Sequence, residues 1–567
     1  MHVRGGIFQD QRRKEFAIFG LLCLGYCASR LVVLNKLPIF IDEAVHIEWA
    51  QLGEFTHAWF DGKWLYIRIV ALFLHLPVEP LTALRLLSAT SGFLTMVACY
   101  RIGNALFSRR LALTTAALYI LFPYALWHDR AGHADSVALA FGAMTVVCAI
   151  NLVLSPSQII GSASPRDISL SRWIAWTLIV LGIVANEWTL ARLFSEDKSI
   201  AATTRLTIIV LQIALVVSGG LFLKYCRSLR MSQFLMGGIP VTLFLCASLL
   251  SKISSMVLVP VPLIAALILT DSKNRMNALV KIIPPVISAA VLSLVLMASG
   301  GGTQQLEEKA ALLDVAGALF RNLLLLGNWC WVFLKPPIAI LGICSIVWAI
   351  VFNRRPETIF LVLLLLCVLM PYLLTARDQY LYPRYLLLML VPIAALVERL
   401  LEELRLYRGL FWAGFLVLAG IAVKADADIL VRPTQARLPL PTEGEFVTGY
   451  PSGYGIKELA QFLREQATER GGINVIRVRW RGAIYLSLDL YVSPSPSMAF
   501  YDLEERKRKL TKPIRDSRPT FLITDTTWND LDTRRASKVW TYTRPKGKSR
   551  IEVWELSQDH EFLSPIS

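Results

Sequence analysis

Apolar runs close to the length of a bilayer-spanning helix recur along the first three quarters of this chain. A helix crosses the hydrocarbon core of a membrane with about 20 mainly apolar residues. The pattern therefore predicts an α-helical polytopic membrane protein with roughly thirteen transmembrane helices. We predict these helices at about residues 16–34, 84–106, 110–127, 135–154, 173–191, 205–224, 232–250, 253–270, 280–299, 336–353, 357–375, 384–401 and 409–424.

The short turns between the predicted helices indicate their orientation. Alternate turns, such as "FSRR", "KYCRSLR" and "NRRPE", carry Lys or Arg, and basic turns stay on the cytoplasmic side. An odd number of helices then places residues 425–567 outside the cytoplasm, after a cytoplasmic N-terminus at 1–15 and a transmembrane domain at 16–424. The outer loops would hold Asp42 and residues 128–135, 303–335 and 376–384.

Two stretches in the first long loop have helical amphipathic patterns without the length of a typical span. We predict that "EAVHIEWAQL" and "KWLYIRIVALFLHL" lie at the membrane interface. The alternative is that the second stretch crosses the membrane, which would invert all later topology. The basic turns argue against that alternative.

The last part of the chain changes to short mixed elements. The pattern predicts a helix in "GIKELAQFLREQATERGG" and strands in "INVIRVRW", "AIYLSLDLYV" and "RPTFLITDT". The segment "KVWTYTRPKGKSRIEVWEL" has two alternating runs around a turn, which is typical of a β-hairpin. The sequence therefore predicts a small extracytoplasmic α/β domain at 425–567.

Charge and cysteine content narrow the function classes. The formal net charge is +16, but from residue 425 onward 22 Lys and Arg face 19 Asp and Glu. The excess thus belongs mainly to the turns between membrane helices, as orientation requires, and it does not indicate a nucleic-acid partner. All 9 cysteines lie in or beside apolar runs without a CxxC pair, which is typical of small core residues rather than redox or metal sites.

An acidic pair, Asp42 and Glu43, follows the first predicted membrane helix by a few residues. At headgroup depth we expect these carboxylates to be poorly hydrated, an environment in which a carboxylate can act as a general base. The alternative is that both acids only stabilise the first turn of the next helix.

The loop "LWHDRAGHADSVAL" concentrates ionisable groups between two predicted helices, where each could bind substrate or only anchor the loop at the interface. Its candidates are His128, Asp129, Arg130, His133 and Asp135.

Several cations could hold a phosphate group. Lys63 stands among aromatic residues at interface depth, and Arg384 with Tyr382 lies at the outer end of a predicted helix. The alternatives are a snorkelling lysine and an aromatic belt with an anchoring arginine. Lys252 and Lys335 are weaker candidates.

Three histidines together with Asp42 could bind a divalent metal ion, but no HxH or HxxxH spacing supports such a site. We expect that no cofactor is required and keep Asp42 as the candidate ligand if a metal takes part. The histidines in question are His46, His128 and His133.

The order of these motifs resembles that of the GT-C membrane glycosyltransferases, in particular protein O-mannosyltransferases, aminoarabinose transferases and galacturonate transferases. The resemblance covers residues 15–425 and rests on the acidic pair after the first helix, the lysine of "GKWLY", an Asp opening the fourth helix and "RYLLLMLVP". This sequence has Trp64 and Leu65 where relatives often carry two prolines.

The resemblance implies a role for each matching position. Asp42 corresponds to the acceptor base and Glu43 to its acidic neighbour, while Asp135, with Asp129 as the fallback, corresponds to the second acid. Lys63 and Arg384 correspond to cations that hold the lipid phosphate.

The function that follows is inverting transfer of a sugar from a polyprenyl-phosphate donor to an extracytoplasmic protein, lipid or glycan acceptor, by a multi-pass protein of the plasma membrane. The main competing function is that of a transporter or lipid-linked-sugar flippase, for which charges in mid-helix and internal repeats would be expected. A scaffold protein with inert carboxylates and a polysaccharide ligase also compete with the transferase hypothesis.

Overall fold

The computed structural model describes residues 2–154, 231–299, 315–374, 382–405, 408–478, 482–492, 496–504, 509–510, 512, 514, 516–525, 535–547 and 549–557. The helices predicted at 173–191 and 205–224 lie outside these residues, as does the first part of "ARDQYLYPRY".

Most of the described chain is α-helical. The helices of the first part are α1 (His2–Leu31), α2 (Ile41–Leu52), α3 (Phe55–Phe60), α4 (Trp64–Phe73), α5 (Pro80–Leu106), α6 (Arg109–Leu121), α7 (Pro123–Asp129) and α8 (Ala134–Leu154). Later helices are α9 (Met231–Ser251), α10 (Val261–Ile268), α11 (Arg275–Ser299), α12 (Val315–Phe333), α13 (Pro336–Val351), α14 (Pro356–Leu373), α15 (Leu390–Leu404), α16 (Arg408–Val431), α17 (Leu440–Glu443), α18 (Ile456–Glu469) and α19 (Gly482–Tyr491). Short 3-10 helices cover Ile253–Leu258, Pro383–Met389 and Pro545–Gly547, and a π-helical turn covers Gly444–Thr448.

The chain divides into two compact units. The first unit comprises Met1–Val32, Glu54–Leu72 and Leu86–Asp426. The second unit comprises Val33–Gly53, Phe73–Arg85 and Ala427–Ser567, so that it combines the loop around α2 with the C-terminal residues.

Several helices have the properties of membrane spans. Among the described residues, 4 helices are long and apolar enough to cross a membrane, and the pair α6 and α7, bent by 67°, is a fifth if it forms one span. They coincide with the predicted helices at 84–106, 135–154, 280–299, 357–375 and 110–127. A helical membrane protein is thus supported, while the total of thirteen helices stays a prediction.

The bend between α6 and α7 has a local cause. Pro123 is the first residue of α7 and has no backbone N–H, so it cannot continue the hydrogen-bond ladder of α6. The chain breaks at Phe122 and resumes in a new direction that leads to His128 and Asp129.

A buried ion pair joins α1 to the end of α7. Arg30 Nε lies 3.4 Å from Asp129 Oδ2, and both side chains are completely buried. The hydroxyls of Tyr26 and Tyr119 each donate to the same carboxylate at 3.1 Å. Gly92 of α5 lies against this cluster, since a Cβ there would be 2.2 Å from the Tyr26 hydroxyl oxygen and 2.3 Å from Asp129 Cγ.

The second unit contains a mixed six-stranded sheet. Its strands are β1 (Ile473–Val478), β2 (Met498–Glu504), β3 (Lys509–Leu510), β4 (Thr520–Asp525), β5 (Ala536–Thr543) and β6 (Arg550–Leu556), in the order β3-β2-β1-β4-β6-β5. Strand β1 pairs in parallel with β2 and β4, whereas β5 and β6 form the predicted antiparallel hairpin. The predicted helix appears as α18, and Gly471 beyond its end has a φ of 69°, which glycine adopts readily.

One prediction in this domain is wrong. The alternating pattern of "AIYLSLDLYV" predicts a strand, but Gly482–Tyr491 is helix α19. Parallel strands such as β1 and β2 need a crossover connection, which is usually a helix. The buried residues Ala483, Ile484 and Leu488 lie on one helical face, so the stretch meets the helical period as well as the strand period.

We predict that Gly92→Ala destabilises the first unit, because the added methyl group must displace Tyr26 or Asp129. Overpacking of this kind costs about 1–3 kcal/mol. Thermal melting in detergent should show a lower midpoint for this variant than for Gly20→Ala, a matched control at which an added Cβ meets nothing within 4 Å. Equal midpoints for the two variants would contradict the packing argument.

Candidate functional site

The acidic pair of the sequence lies in the first turn of α2, within the second unit. Its two members have different surroundings. Glu43 is completely buried, whereas Asp42 is half-buried. Glu43 Oε2 accepts a hydrogen bond of 2.9 Å from the backbone N–H of Phe40 and thereby caps the start of the helix.

Arg85 pairs with Glu43 through one edge of its guanidinium. Nε and Nη2 donate to Oε1 and Oε2 at 2.8 Å each, which is the bidentate geometry that Arg and carboxylates favour. The same guanidinium donates to the backbone carbonyls of Leu34, Leu37 and Pro38. Arg85 therefore holds the turn that leads into α2 and fixes the backbone beside Asp42.

Arg85 is not among the residues that the sequence patterns single out. A single arginine near the start of an apolar run was the available signal, because a charge at such a position is kept only when it has a partner.

Burial raises the pKa of Tyr491 to about 12, so that this phenol stays protonated close to the charges of Arg85 and Glu43.

A second group of ionisable residues lines a cavity in the first unit. Asp135 lies in the first turn of α8, Lys252 stands between α9 and the following 3-10 helix, and Arg384 lies in the 3-10 helix that precedes α15. The Lys252 ammonium donates to Asp135 Oδ1, and Arg384 Nε lies 3.9 Å from Asp135 Oδ2. The described lining includes Asp135, Ala138, Leu139, Lys252, Ser254, Ser255, Val257, Leu258, Val368, Tyr372, Arg384, Tyr385, Leu387 and Leu388.

The charge of this cavity is positive. Its described lining brings two cations, Lys252 and Arg384, against the one carboxylate of Asp135, and each of the three residues is only 8% exposed. Buried charges are costly unless opposite charges compensate them. A cavity with this balance suits an anion with several acceptor oxygens, such as a phosphate.

Tyrosine rings cover the two cations. Lys252 Nζ lies 4.0 Å from the ring centroid of Tyr385, and Arg384 Cζ lies 4.3 Å from that of Tyr382. Cation–π contacts of this kind hold cations in place while the rings keep water away. The hydroxyl of Tyr124 also donates to the carbonyl of Pro383 and ties α7 to the segment that carries Arg384.

His128 lies close to the same cations. It is 1% exposed, and its ring centroid lies 5.2 Å from that of Tyr124 and 5.7 Å from that of Phe333. It also interacts electrostatically with Arg384 and Lys252. Within the described part of the chain, neither ring nitrogen has a hydrogen-bond partner. A buried donor of this kind is available to an incoming acceptor.

Asp129 and Arg130 make contacts within the helix bundle. Asp129 takes part in the ion pair with Arg30 described above. Arg130 Nη1 donates to the carbonyls of Ser29, Arg30 and Val32 at 3.2, 3.3 and 2.7 Å, and so satisfies acceptors at the C-terminal end of α1. Direct substrate binding by these two residues stays a prediction.

Lys63 precedes α4 and is half-buried. Its ammonium lies 2.5 Å from Asp61 Oδ2. The positive charge of Lys63 also repels that of Lys252. Lys63 thus lies near the cavity, and Asp61 offsets part of its charge. Within the described residues, no group of three or more His, Cys, Asp and Glu side chains is arranged to hold a metal ion.

We predict that Glu43→Gln destabilises the second unit, because it leaves the buried Arg85 guanidinium without a compensating charge. Removal of one partner from a buried ion pair costs about 3–5 kcal/mol. Denaturant unfolding should show this loss relative to Glu465→Gln, a control on the exposed face of α18. The double variant Glu43→Leu with Arg85→Leu should recover part of the lost free energy of unfolding. If the changes in free energy of the two single variants simply add in the double variant, the pairing is contradicted.

No protein-family model and no curated protein sequence matches the chain. Solved structures do match. ArnT from Cupriavidus metallidurans, determined bound to undecaprenyl phosphate, has a TM-score of 0.51 and 11% identity, with 97% of this chain and 99% of that chain covered. The apo oligosaccharyltransferase of Archaeoglobus fulgidus has a TM-score of 0.45 and 12% identity, with 84% of this chain covered, and the chain spans 63% of its length.

The likeness to ArnT extends over almost the whole of both chains and, at 11% identity, concerns the fold. It confirms the resemblance that the order of motifs indicated. The chain thus shares the fold of ArnT from Cupriavidus metallidurans.

Proposed function

We propose that this chain is an integral-membrane glycosyltransferase that moves a sugar from a polyprenyl-phosphate donor to a hydroxyl acceptor on the extracytoplasmic side, with inversion. The observation that carries the proposal is the cavity at Asp135, where the buried residues Lys252 and Arg384 give a net positive charge. A fold shared with a protein determined with undecaprenyl phosphate supports it. The proposed location is the plasma membrane, with the domain at 425–567 outside the cytoplasm.

The cavity residues would bind the lipid phosphate. Arg384 can donate two parallel hydrogen bonds and Lys252 supplies a compact charge, which are complementary ways to hold phosphate oxygens. His128 would donate a further hydrogen bond, Tyr382 would keep Arg384 oriented, and Lys63 would add to the attraction of the anion. Asp135 would orient Lys252 before the phosphate binds. The bound phosphate would then replace part of the contact between Lys252 and Asp135.

Charge stabilisation would drive departure of the lipid phosphate. The oxygen of the acceptor hydroxyl bonds to the anomeric carbon while the bond from that carbon to the phosphate oxygen breaks. The bonding electron pair moves onto the phosphate, where fixed cations in a water-poor cavity stabilise the added charge. Attack from the face opposite the phosphate gives inversion.

Asp42 would act as the general base that takes the acceptor proton. It is half-buried, whereas its neighbour Glu43 is enclosed by Arg85 and the backbone. We therefore assign proton transfer to Asp42 and the support of its position to Glu43. A divalent metal ion, if one takes part, would bind at Asp42 and polarise the acceptor hydroxyl.

We predict that Asp42→Asn lowers the turnover of sugar transfer by about 100-fold or more, because the amide cannot accept the proton. The purified protein would be incubated with a panel of radiolabelled polyprenyl-phosphate sugars, with and without chelator, and sugar transfer or release measured. Binding of unlabelled polyprenyl phosphate should be unchanged in the variant. Turnover by the wild type but equal turnover by the variant would remove Asp42 from the mechanism.

We predict that Arg384→Gln weakens binding of polyprenyl phosphate by about 10- to 100-fold, the worth of a charge-assisted hydrogen bond. Arg354→Gln, at an exposed position between α13 and α14, is the matched control. Binding would be measured by calorimetry or by competition with a labelled lipid phosphate. Equal affinities in the two variants would place the phosphate elsewhere.

A further inference from the structure

A segment of the C-terminal domain contacts the backbone directly before Asp42. We name residues 446–453 the clamp segment. Within the second unit, Phe40 forms an antiparallel bridge with Ser452, and the backbone N–H of Ile41 donates to the carbonyl of Pro451 at 3.0 Å. Ile41 is the first residue of α2, and its N–H has no partner within that helix. The clamp segment supplies the missing acceptor.

Side chains pack tightly at the same contact. The rings of Phe40 and Phe446 stack with their centroids 4.6 Å apart, and both are buried. At Gly453 a Cβ would lie 2.0 Å from the backbone oxygen of Ile39. Since that neighbour is backbone and not a flexible side chain, a larger residue at 453 must push the two segments apart.

The clamp segment is itself fixed to the α/β domain. Ser549 Oγ donates to the carbonyl of Thr448 at 2.7 Å, and the N–H of Ala483, at the start of α19, donates to the carbonyl of Tyr450 at 3.1 Å. Ser452 is completely buried, and its hydroxyl donates to the carbonyl of Phe446 at 3.0 Å. The hairpin, helix α19 and the clamp segment are therefore connected by hydrogen bonds.

We infer that the C-terminal domain positions Asp42 through the clamp segment, with Phe446 and Gly453 as positioning residues. The inference rests on the proposed role of Asp42 as base. It gives the domain a role in the reaction, because two sets of contacts fix the backbone that carries Asp42. Arg85 binds the turn before α2, and the clamp segment, more than four hundred positions later in the chain, binds Ile41. Misplacement of a reacting group by about 1 Å can cost 100-fold in rate.

The test compares Gly453→Ala and Gly453→Val with Gly444→Ala, a control near the clamp segment where an added Cβ meets nothing within 4 Å. Four quantities are measured: the rate of amide hydrogen exchange of residues 39–43, the affinity for polyprenyl phosphate, and the kcat and the KM of sugar transfer. We expect faster exchange at Ile41 and a kcat lowered by about 10- to 100-fold in the Gly453 variants, with lipid-phosphate affinity within about twofold of the wild type. The control should match the wild type throughout.

Retained affinity for the lipid phosphate shows that the first unit of a Gly453 variant is folded. If Gly453→Val unfolds the second unit, the milder Phe446→Leu variant replaces it in the test. Unchanged exchange at Ile41 would overturn the clamp, and faster exchange with unchanged kcat would overturn its role in positioning. Failure of the proposed function appears separately, as a lack of transfer by the wild type, and the exchange measurement remains valid in that case.

Discussion

A buried charge needs a partner, and the described structure depends on this constraint. A carboxylate or guanidinium taken out of water costs several kcal/mol unless an opposite charge and further hydrogen bonds compensate it. Arg30 with Asp129, Arg85 with Glu43 and Lys252 with Asp135 meet this requirement. The first two pairs also contact backbone carbonyls and hydroxyl groups of the protein, which stabilise the packing around them. The third pair lies beside an additional cation, Arg384.

The acidic pair after the first helix divides its roles between neighbouring residues. Successive residues of a helix point in directions about 100° apart, so that one of two adjacent acids can face the protein while the other does not. Glu43 is enclosed by Arg85 and caps α2, and Asp42 is left at the partly exposed side. Such support of a reactive group by a packed neighbour is what precise positioning requires.

Sequence reasoning performed well where one local pattern dominates. The membrane-length helices that the described residues contain, the hairpin and α18 follow from period, length and turn residues. It failed at Gly482–Tyr491, where alternation and helical period coexist and the parallel pairing of β1 with β2 decides for a helix. At the candidate site it found Asp135 and Arg384, but it ranked Lys252 low, because a single lysine in a turn carries no sign of the carboxylate that it will meet.

The sequence by itself determined the membrane class, the mixed tail domain and the chemical types available at the site, because hydropathy, period and residue identity are local properties. Only the tertiary structure decided which charges meet. Asp135, Lys252 and Arg384 come from three separate segments, and Ile41 finds its backbone acceptor at Pro451. Contacts over such distances in sequence depend on how helices and domains pack, and no local pattern encodes them.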